Sequence, residues 1–272
     1  MLEKIRGMIK KEKYVLKISM PRHIAITTDG IEKWALKNNT PYKDAYKRSF
    51  LILKNTIKLQ IRLKIPILSF YILDENADKE NESYPYLLDA IVSMLNDLAN
   101  NEFVNKNKIK IFVLGKWYHL PGKVVDSIKR AIGETKDYDS FFVNFCINYN
   151  GQEEIVDAFK FLGMQIKAGK LDPELIDKDS IKESLYTSYF LPPGLMIKNG
   201  TRKETSGFLL WDSVNTKIYF TNKLWPDFDK TEFMDAIKDY QKWDLINFLT
   251  SQQTYKHCIY LLQQALYIFC NN

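Results

Sequence analysis

Short apolar segments alternate with longer amphipathic segments along most of this chain. Six short segments are rich in Ile, Val, Phe and Tyr and predict buried β-strands: Arg22–Thr27, Ile67–Leu73, Lys108–Gly115, Phe141–Ile147, Leu195–Lys198 and Lys217–Phe220. Five segments between them carry apolar residues at helical spacing: Tyr42–Leu63, Tyr84–Leu98, Pro121–Ile132, Gln152–Ala168 and Asp179–Ser188. Strands that alternate with helices of this length predict an α/β fold with a mostly parallel central sheet of about six strands, flanked by helices.

The same pattern contains no linker and no internal repeat, so residues 21–248 are interpreted as a single domain. An amphipathic helix is predicted before this domain, over residues 1–20, and an aromatic-rich helix after it, over residues 249–272. The apolar stripe of the last helix favours packing on the body or across a dimer interface, with a membrane-surface helix as the alternative.

Composition narrows the class of protein without identifying it. Apolar residues make up 46% of the 272 positions, and 39 basic against 33 acidic residues leave a net charge of +6. The excess is mild, the basic residues are scattered, and the absence of a dense basic helix or stacking motif argues against nucleic-acid binding. No signal peptide and no apolar segment long enough to span a membrane are visible, and the three cysteines lack metal-like spacing. We therefore expect a cytoplasmic protein with at most peripheral membrane contact.

Two places in the chain indicate chemistry. Asp29 follows a predicted buried strand and precedes Gly30, which permits a tight turn with a close backbone approach. A carboxylate there can coordinate Mg²⁺ and bring it to a diphosphate, although a turn aspartate that caps the next helix is the alternative. One later loop gathers three cations and a hydroxyl, which suit a diphosphate or a charged surface loop: Lys198, Arg202, Lys203 and Ser206.

Five segments, in collinear order, resemble motifs of the cis-prenyltransferase family, the family of undecaprenyl diphosphate synthase. They are Pro21–Ala35, Leu68–Tyr71 with Glu75–Asn76, Asn144–Val156, Leu185–Thr187 with Pro192–Gly200, and Ser206–Phe228. The resemblance implies the family's fold, an apolar substrate cavity lined by the helices at 42–63 and 84–98, and dimerisation through late helices.

The resemblance also implies roles for individual residues. Asp29 matches the family's magnesium-binding aspartate, and Asn76 matches an asparagine linked to proton removal from the acceptor substrate. Diphosphate-binding roles fall on Gly30, Lys33, Lys79, Lys198, Arg202 and Ser206. Structural or cavity-lining roles fall on Trp34, Tyr42 and Tyr46.

Several residues depart from the family pattern near expected ligand positions. Glu32 replaces a glycine, and Tyr42 and Tyr46 replace an arginine and a histidine. Lys217 replaces a glutamate that helps to hold magnesium. Three explanations stay open for this lysine: magnesium binds through Asp29 and a diphosphate alone, the lysine substitutes for part of the metal's charge, or its side chain points away from the site.

A prenyl-diphosphate enzyme is the leading hypothesis. An allylic diphosphate would ionise with the help of Mg²⁺ and join isopentenyl diphosphate or another prenyl unit, with an unusual coupling or a cyclisation as variants. The alternatives are a non-catalytic partner subunit and a polyprenyl-lipid-binding protein of the same fold. The expected partners are the prenyl diphosphates and a second copy of this chain, with no nucleic acid.

Overall fold

A computed structural model describes residues 20–247 and residue 250, and the chain divides into two compact units. The larger unit spans residues 21–240 and contains the sheet. The other unit combines residues 1–20 with residues 241–272, so nearly all of the two predicted terminal helices lies outside the described residues. None of the described helices has both the length and the apolar character that crossing a membrane requires.

Six strands form one sheet in the larger unit. They are β1 (His23–Thr27), β2 (Ile67–Asp74), β3 (Ile109–Leu114), β4 (Phe141–Tyr149), β5 (Leu195–Lys198) and β6 (Lys217–Phe220). Their order is β3-β4-β2-β1-β5-β6, and every neighbouring pair is parallel. The predicted α/β fold is therefore confirmed. β1 is buried at every position, as expected for a central strand whose two faces are covered.

Helices connect the strands. They are α1 (Ile31–Lys37), α2 (Tyr42–Arg62), α3 (Tyr84–Ala99), α4 (Glu102–Lys106), α5 (Gly122–Thr135), α6 (Gly151–Lys167), α7 (Lys178–Ser184) and α8 (residues 230–247). Five of them, α2, α3, α5, α6 and α7, lie where the amphipathic pattern predicts them. The helix predicted to reach Ser188 ends earlier, because the chain becomes extended at Leu185 (φ −76°, ψ 159°). Just beyond, the Thr187 backbone N–H donates to the buried Glu154 carboxylate (3.2 Å) instead of to a helical carbonyl.

A buried histidine joins the central strands. The Nδ1 atom of His23 on β1 donates to the Leu191 carbonyl (2.6 Å), so Nε2 accepts from the Ser69 hydroxyl on β2 (2.7 Å). Ser69 accepts in turn from the Asn144 amide on β4 (2.9 Å). Burial lowers the pKa of His23 to about 4, so the imidazole is neutral in the folded protein at neutral pH.

The lowered pKa of His23 predicts a loss of stability in acid. In the unfolded chain His23 is protonated below its ordinary pKa of 6.5, whereas in the folded chain it is protonated only below about pH 4. The free energy of unfolding should therefore fall by about 3 kcal/mol across this interval from this group alone. Urea unfolding of the wild type and of His23→Gln at several pH values isolates the effect. Equal pH slopes for the two proteins would contradict the assignment.

Two glycines of α6 differ sharply in their surroundings. A β-carbon on Gly151 would lie 2.1 Å from the Gly207 carbonyl oxygen and 2.8 Å from the Leu210 β-carbon, whereas one on Gly163 would meet no atom within 4 Å. The missing side chain of Gly151 therefore lets the loop at residues 206–207 lie against the start of α6.

This contrast gives a matched pair of variants. We expect Gly151→Ala to lower the free energy of unfolding by about 2–3 kcal/mol, because backbone and side chain must move to admit a methyl group. Gly163→Ala should raise it by about 0.5–1 kcal/mol, because alanine is the better residue within a helix. Urea titrations followed by circular dichroism measure both values. A Gly151→Ala protein as stable as the wild type would show that this loop does not pack as described.

Candidate active site

Asp29 lies just beyond the carboxyl end of β1, at the edge of the sheet. The Trp225 backbone N–H donates to the Asp29 carbonyl (2.9 Å), which fixes this peptide. Gly30 follows with φ 85°, and a β-carbon there would lie 2.6 Å from the Leu224 side chain. A glycine is therefore required after Asp29, both by the left-handed backbone and by the close approach. The Asp29 side chain remains 40% exposed and free to meet a ligand.

Lys198 reaches the same point from the neighbouring strand. It ends β5, which pairs with β1, and its side chain is only 4% exposed. The ammonium donates to Asp29 Oδ2 and to Ser206 Oγ, the second over 3.2 Å. The structure thus brings together three residues that the sequence predicted as ligands: a carboxylate, an ammonium and a hydroxyl.

The residues after Lys198 lock the two strand ends together. The Asn199 side-chain amide donates to the Thr27 carbonyl (2.6 Å), and its backbone N–H donates to Thr27 Oγ1 (3.1 Å). Gly200 turns away with φ 92°, and a β-carbon there would contact the Asp29 β-carbon at 3.7 Å. These contacts hold Lys198 and Asp29 side by side at adjacent strand ends.

The segment 225–227 holds the helices around this turn. Asp227 Oδ1 accepts from the Trp34 indole on α1 (2.8 Å), which assigns Trp34 a packing position. The Pro226 carbonyl accepts from Arg48 Nε on α2 (2.7 Å). Trp225 is 1% exposed and stacks on Phe228 with ring centroids 5.2 Å apart. The late segment therefore anchors both helices that follow Asp29.

A narrow apolar cavity of about 40 Å³ begins beside Asp29. Thr28 and Ile31, which flank the Asp29–Gly30 turn, belong to its lining, and Tyr46 does as well. Its walls are formed mainly by apolar residues of α2, β2 and α3: Phe50, Leu53, Ile72, Leu87, Ile91 and Met94. The predicted position of an apolar cavity between these two helices therefore agrees with the structure.

Glu32 forms a polar cluster at this cavity that the sequence did not predict. Its Oε1 accepts from the Tyr46 hydroxyl on α2 (3.1 Å) and from the Ser83 hydroxyl before α3 (2.7 Å). Burial raises the pKa of Tyr46, so this phenol stays protonated and donates. Two of the departures from the family pattern therefore contact each other. No local signal reveals this, because the partners lie far apart in sequence.

Lys116 forms a second unpredicted cluster, at the carboxyl edge of the same sheet. Its side chain is 11% exposed, and its ammonium lies 2.6 Å from Glu153, 3.2 Å from Glu75 and 3.7 Å from Asp157. Burial alone would lower the pKa of Lys116, but the carboxylates outweigh it and raise that pKa above its ordinary value. Because Glu75 immediately precedes Asn76, this cluster anchors the start of the loop that carries Asn76.

Other predicted ligands lie on the surface. Asn76, Lys79 and Lys33 are exposed. Arg202 is 84% exposed and lies 3.7 Å from Glu204, so it is not brought to Asp29 as the loop's composition suggested. Lys203 is likewise exposed. Tyr42, for which a structural or cavity-lining role was predicted, does not line the apolar cavity, and its ring lies 6.3 Å from that of Tyr86.

Lys217 lies away from Asp29 within this chain. It begins β6 and is in register with Leu195, whereas Lys198 is in register with Phe220 at the other end of the strand. Its ammonium lies 3.0 Å from the Asp239 carboxylate on α8. Of the three explanations for this departure, the arrangement corresponds to a side chain that points elsewhere.

Asp29 is a suitable ligand for magnesium in combination with a substrate. Magnesium binds carboxylate oxygens and commonly relies on one or two of them together with substrate phosphates. Asp29 offers such an oxygen on a side chain that is 40% exposed. Across residues 20–247 and 250, no group of three His, Cys, Asp or Glu side chains could hold a metal ion alone. Phosphate oxygens would therefore have to complete the coordination.

A carboxylate, an ammonium and a hydroxyl that meet next to the Thr28–Ile31 turn, together with an apolar cavity lined by Thr28 and Ile31, suit an amphiphilic anion. Comparison with known proteins then identifies the family. Residues 27–245 match the undecaprenyl diphosphate synthase family of prenyltransferases, and the chain belongs to that family.

Individual relatives agree with this assignment. The chain is 32% identical over 224 residues to an isoprenyl transferase of Thermotoga maritima, which covers 82% of this chain and 94% of the relative. It is also 32% identical over 237 residues, 85% of this chain and 84% of the relative, to the tritrans,polycis-undecaprenyl-diphosphate synthase (geranylgeranyl-diphosphate specific) of Methanocaldococcus jannaschii.

A solved structure is similar over the same region. It is lavandulyl diphosphate synthase from Lavandula x intermedia in complex with dimethylallyl diphosphate, with a TM-score of 0.77, 27% identity, and coverage of 82% of this chain and 95% of that one. Together with the relatives, it identifies this chain as a prenyltransferase, an enzyme of isoprenoid biosynthesis.

The Lys116 cluster predicts a large stability effect with a matched control. Lys116→Met leaves three carboxylates close together, and the only cation that still pairs with them among the described residues is Lys160, 3.2 Å from Asp157. The free energy of unfolding should therefore fall by about 2–3 kcal/mol. Lys123 also pairs at 2.6 Å, with Asp89, but both side chains are at least 60% exposed. Lys123→Met should therefore change the free energy by less than about 1 kcal/mol. Equal effects in urea unfolding would contradict the buried ion cluster.

Proposed function

We propose that this chain ionises an allylic prenyl diphosphate with Mg²⁺ and joins it to isopentenyl diphosphate or another prenyl unit. The convergence of Asp29, Lys198 and Ser206 carries this proposal, and the residues that flank the Asp29–Gly30 turn, Thr28 and Ile31, line an apolar cavity. The apolar lining of the cavity suits a hydrocarbon tail, but at about 40 Å³ the cavity must widen to hold one. The polar group suits the diphosphate. The lavender relative, described in complex with dimethylallyl diphosphate, supports this substrate class.

The chain's own residues would act on the leaving group. The Lys198 ammonium donates to Asp29 and to Ser206 in the free protein, and it can turn to diphosphate oxygens that gain charge as the carbon–oxygen bond breaks. The Ser206 hydroxyl, which accepts from Lys198, can then donate to the same oxygens. Asp29 would hold magnesium, which when bound neutralises negative charge on the diphosphate. The apolar walls exclude water from the allylic cation.

Coupling would then form a carbon–carbon bond to the double bond of the acceptor. The pyrophosphate leaves with the electron pair of the broken bond, and the coupled product loses a proton. Asn76, on the exposed loop after β2, is proposed to act at that proton. Gly30, Lys33, Lys79 and Arg202 are proposed to bind diphosphate once the exposed loops fold over the substrates. Glu32 and Lys217 depart from the family's motifs, so the proposal includes an unusual coupling or a cyclisation as variants of the reaction.

The oligomeric state and the cellular location of the protein are part of the same proposal. We propose a cytoplasmic homodimer, in line with the family's dimerisation through late helices. The described part of that late region includes residues 230–240 of α8, which belong to the larger unit.

Incubation of the purified chain with labelled allylic diphosphates, with and without isopentenyl diphosphate and Mg²⁺, tests the reaction. Pyrophosphate release that requires isopentenyl diphosphate indicates chain transfer. Release without it indicates cyclisation, coupling of two allylic units or hydrolysis, which the products distinguish. No turnover with any substrate would reject the enzyme proposal in favour of a partner subunit or a lipid-binding protein.

Asp29 should be indispensable for that turnover. We expect Asp29→Ala and Asp29→Asn each to lower kcat/KM by at least about a thousandfold, because the proposed metal ligand is lost. Asp126→Ala removes an exposed carboxylate on α5 and serves as the control, with activity unchanged. Melting temperatures show whether the variants are folded. Full activity of folded Asp29→Asn would show that the site is assigned wrongly.

A further inference from the structure

Among the described helices, α2 carries the largest net positive charge. α2 carries six basic residues and one acidic residue, a net charge of +5, while the whole chain carries +6. By contrast, α5 has three basic and two acidic residues, and α6 has two basic and three acidic residues. Six of the 39 basic residues lie on this helix, and the other 33 are distributed over the rest of the chain.

Most of these cations share one face of α2. Its members, called the α2 stripe below, are Lys43, Lys47, Leu51, Lys54, Lys58 and Arg62. At 3.6 residues per turn these positions fall within an arc of about 100° and extend over roughly 28 Å. The stripe is thus a continuous band along the whole helix.

The stripe is accessible and largely unneutralised within the described part of the chain. Lys43, Lys47, Lys58 and Arg62 are exposed, and none has an acidic side chain within 4.0 Å among the described residues. Lys54 is the exception, since it contacts Asp97 at 2.8 Å. Folding stability does not explain such a band, because like charges three and four residues apart on a helix repel.

Apolar surface accompanies the cations. Leu51 lies within the stripe and is 57% exposed. Lys54 and Lys58 also line a cavity of about 130 Å³, whose other walls include Leu98 and Phe103. A nucleic acid would use the cations alone. A bilayer offers phosphate headgroups to the lysines and hydrocarbon to Leu51, so it matches both features.

We propose that the α2 stripe docks this protein on the surface of a bilayer that contains anionic phospholipids, with α2 lying along the headgroups. The opposite side of the same helix lines the cavity beside Asp29. Docking through α2 would therefore place that cavity next to the membrane, where prenyl chains partition.

Vesicle co-sedimentation of the full-length chain tests this proposal. The vesicles contain phosphatidylglycerol and phosphatidylcholine in equal parts, or phosphatidylcholine alone. The variant Lys43→Gln/Lys47→Gln/Lys58→Gln removes three charges of the stripe. The control Lys129→Gln/Lys167→Gln/Lys170→Gln removes three exposed charges elsewhere, so the two proteins have equal net charge. Leu51→Ser tests the apolar contact separately.

We expect the wild type to bind the anionic vesicles in a salt-dependent manner and the stripe variant to bind about a hundredfold more weakly. The control should lose less than about tenfold, and Leu51→Ser should weaken binding without changing its salt dependence. Equal binding by the stripe variant and the control would overturn the proposal. So would tighter binding to duplex DNA than to vesicles, unaffected by Leu51→Ser, which would identify a polyanion site instead.

Docking does not require the reaction proposed above, so the two can fail separately. Pyrophosphate release from a soluble short-chain substrate, measured without vesicles, should be the same for the stripe variant and the wild type. Loss of vesicle binding with normal turnover supports a docking face. A loss of both, with a lowered melting temperature, would show that the substitutions act through misfolding, and would reject the stripe as a separate docking surface.

Discussion

The site depends on one ion pair between the ends of two adjacent strands. The Lys198 ammonium is almost completely buried, and burying a charge without a partner is costly. Asp29 supplies the partner from the end of β1, but its own side chain remains 40% exposed. A diphosphate could therefore take over the ammonium while Asp29 turns to a metal ion. The buried Lys198 ammonium thus needs a negatively charged partner, which Asp29 supplies in the free protein and an anionic substrate can supply in the complex.

Much of the surrounding architecture holds this pair in register. The parallel pairing of β1 with β5 brings the two strand ends together, and Asn199 locks them through Thr27. Trp225 fixes the Asp29 peptide from behind. The segment from Ser206 to Asp227 therefore contributes twice. Its first residue accepts a hydrogen bond from Lys198, and its last residues anchor α1 and α2.

The fold was predictable because buried parallel strands leave a strong signal. Each observed strand overlaps a short run of apolar, β-branched or aromatic residues, and each long helix has apolar residues at helical spacing. The helix after α6 was predicted too long, because the Thr187–Glu154 contact is tertiary and has no local signature. Asp29 and Lys198 could be proposed from their motifs, since both follow strands whose carboxyl ends meet at one edge.

Contacts between distant side chains could not be predicted in this way. Glu32 and Tyr46 were each visible as departures from the family, but their hydrogen bond depends on how α1 packs on α2. The cations of the late loop looked equivalent in the sequence, yet Lys198 is buried and Arg202 extends into solvent. The direction of a side chain at a loop is set by the folded backbone, which composition does not encode.

Binding of an unreactive prenyl thiolodiphosphate tests the central claim most directly, because it measures recognition without turnover. Calorimetry in the presence of Mg²⁺ should show that Lys198→Met binds this compound about a hundredfold more weakly than the wild type. The corresponding prenyl alcohol, which lacks the diphosphate, should bind the two proteins equally. Equal affinity of folded Lys198→Met and the wild type for the thiolodiphosphate would contradict the account.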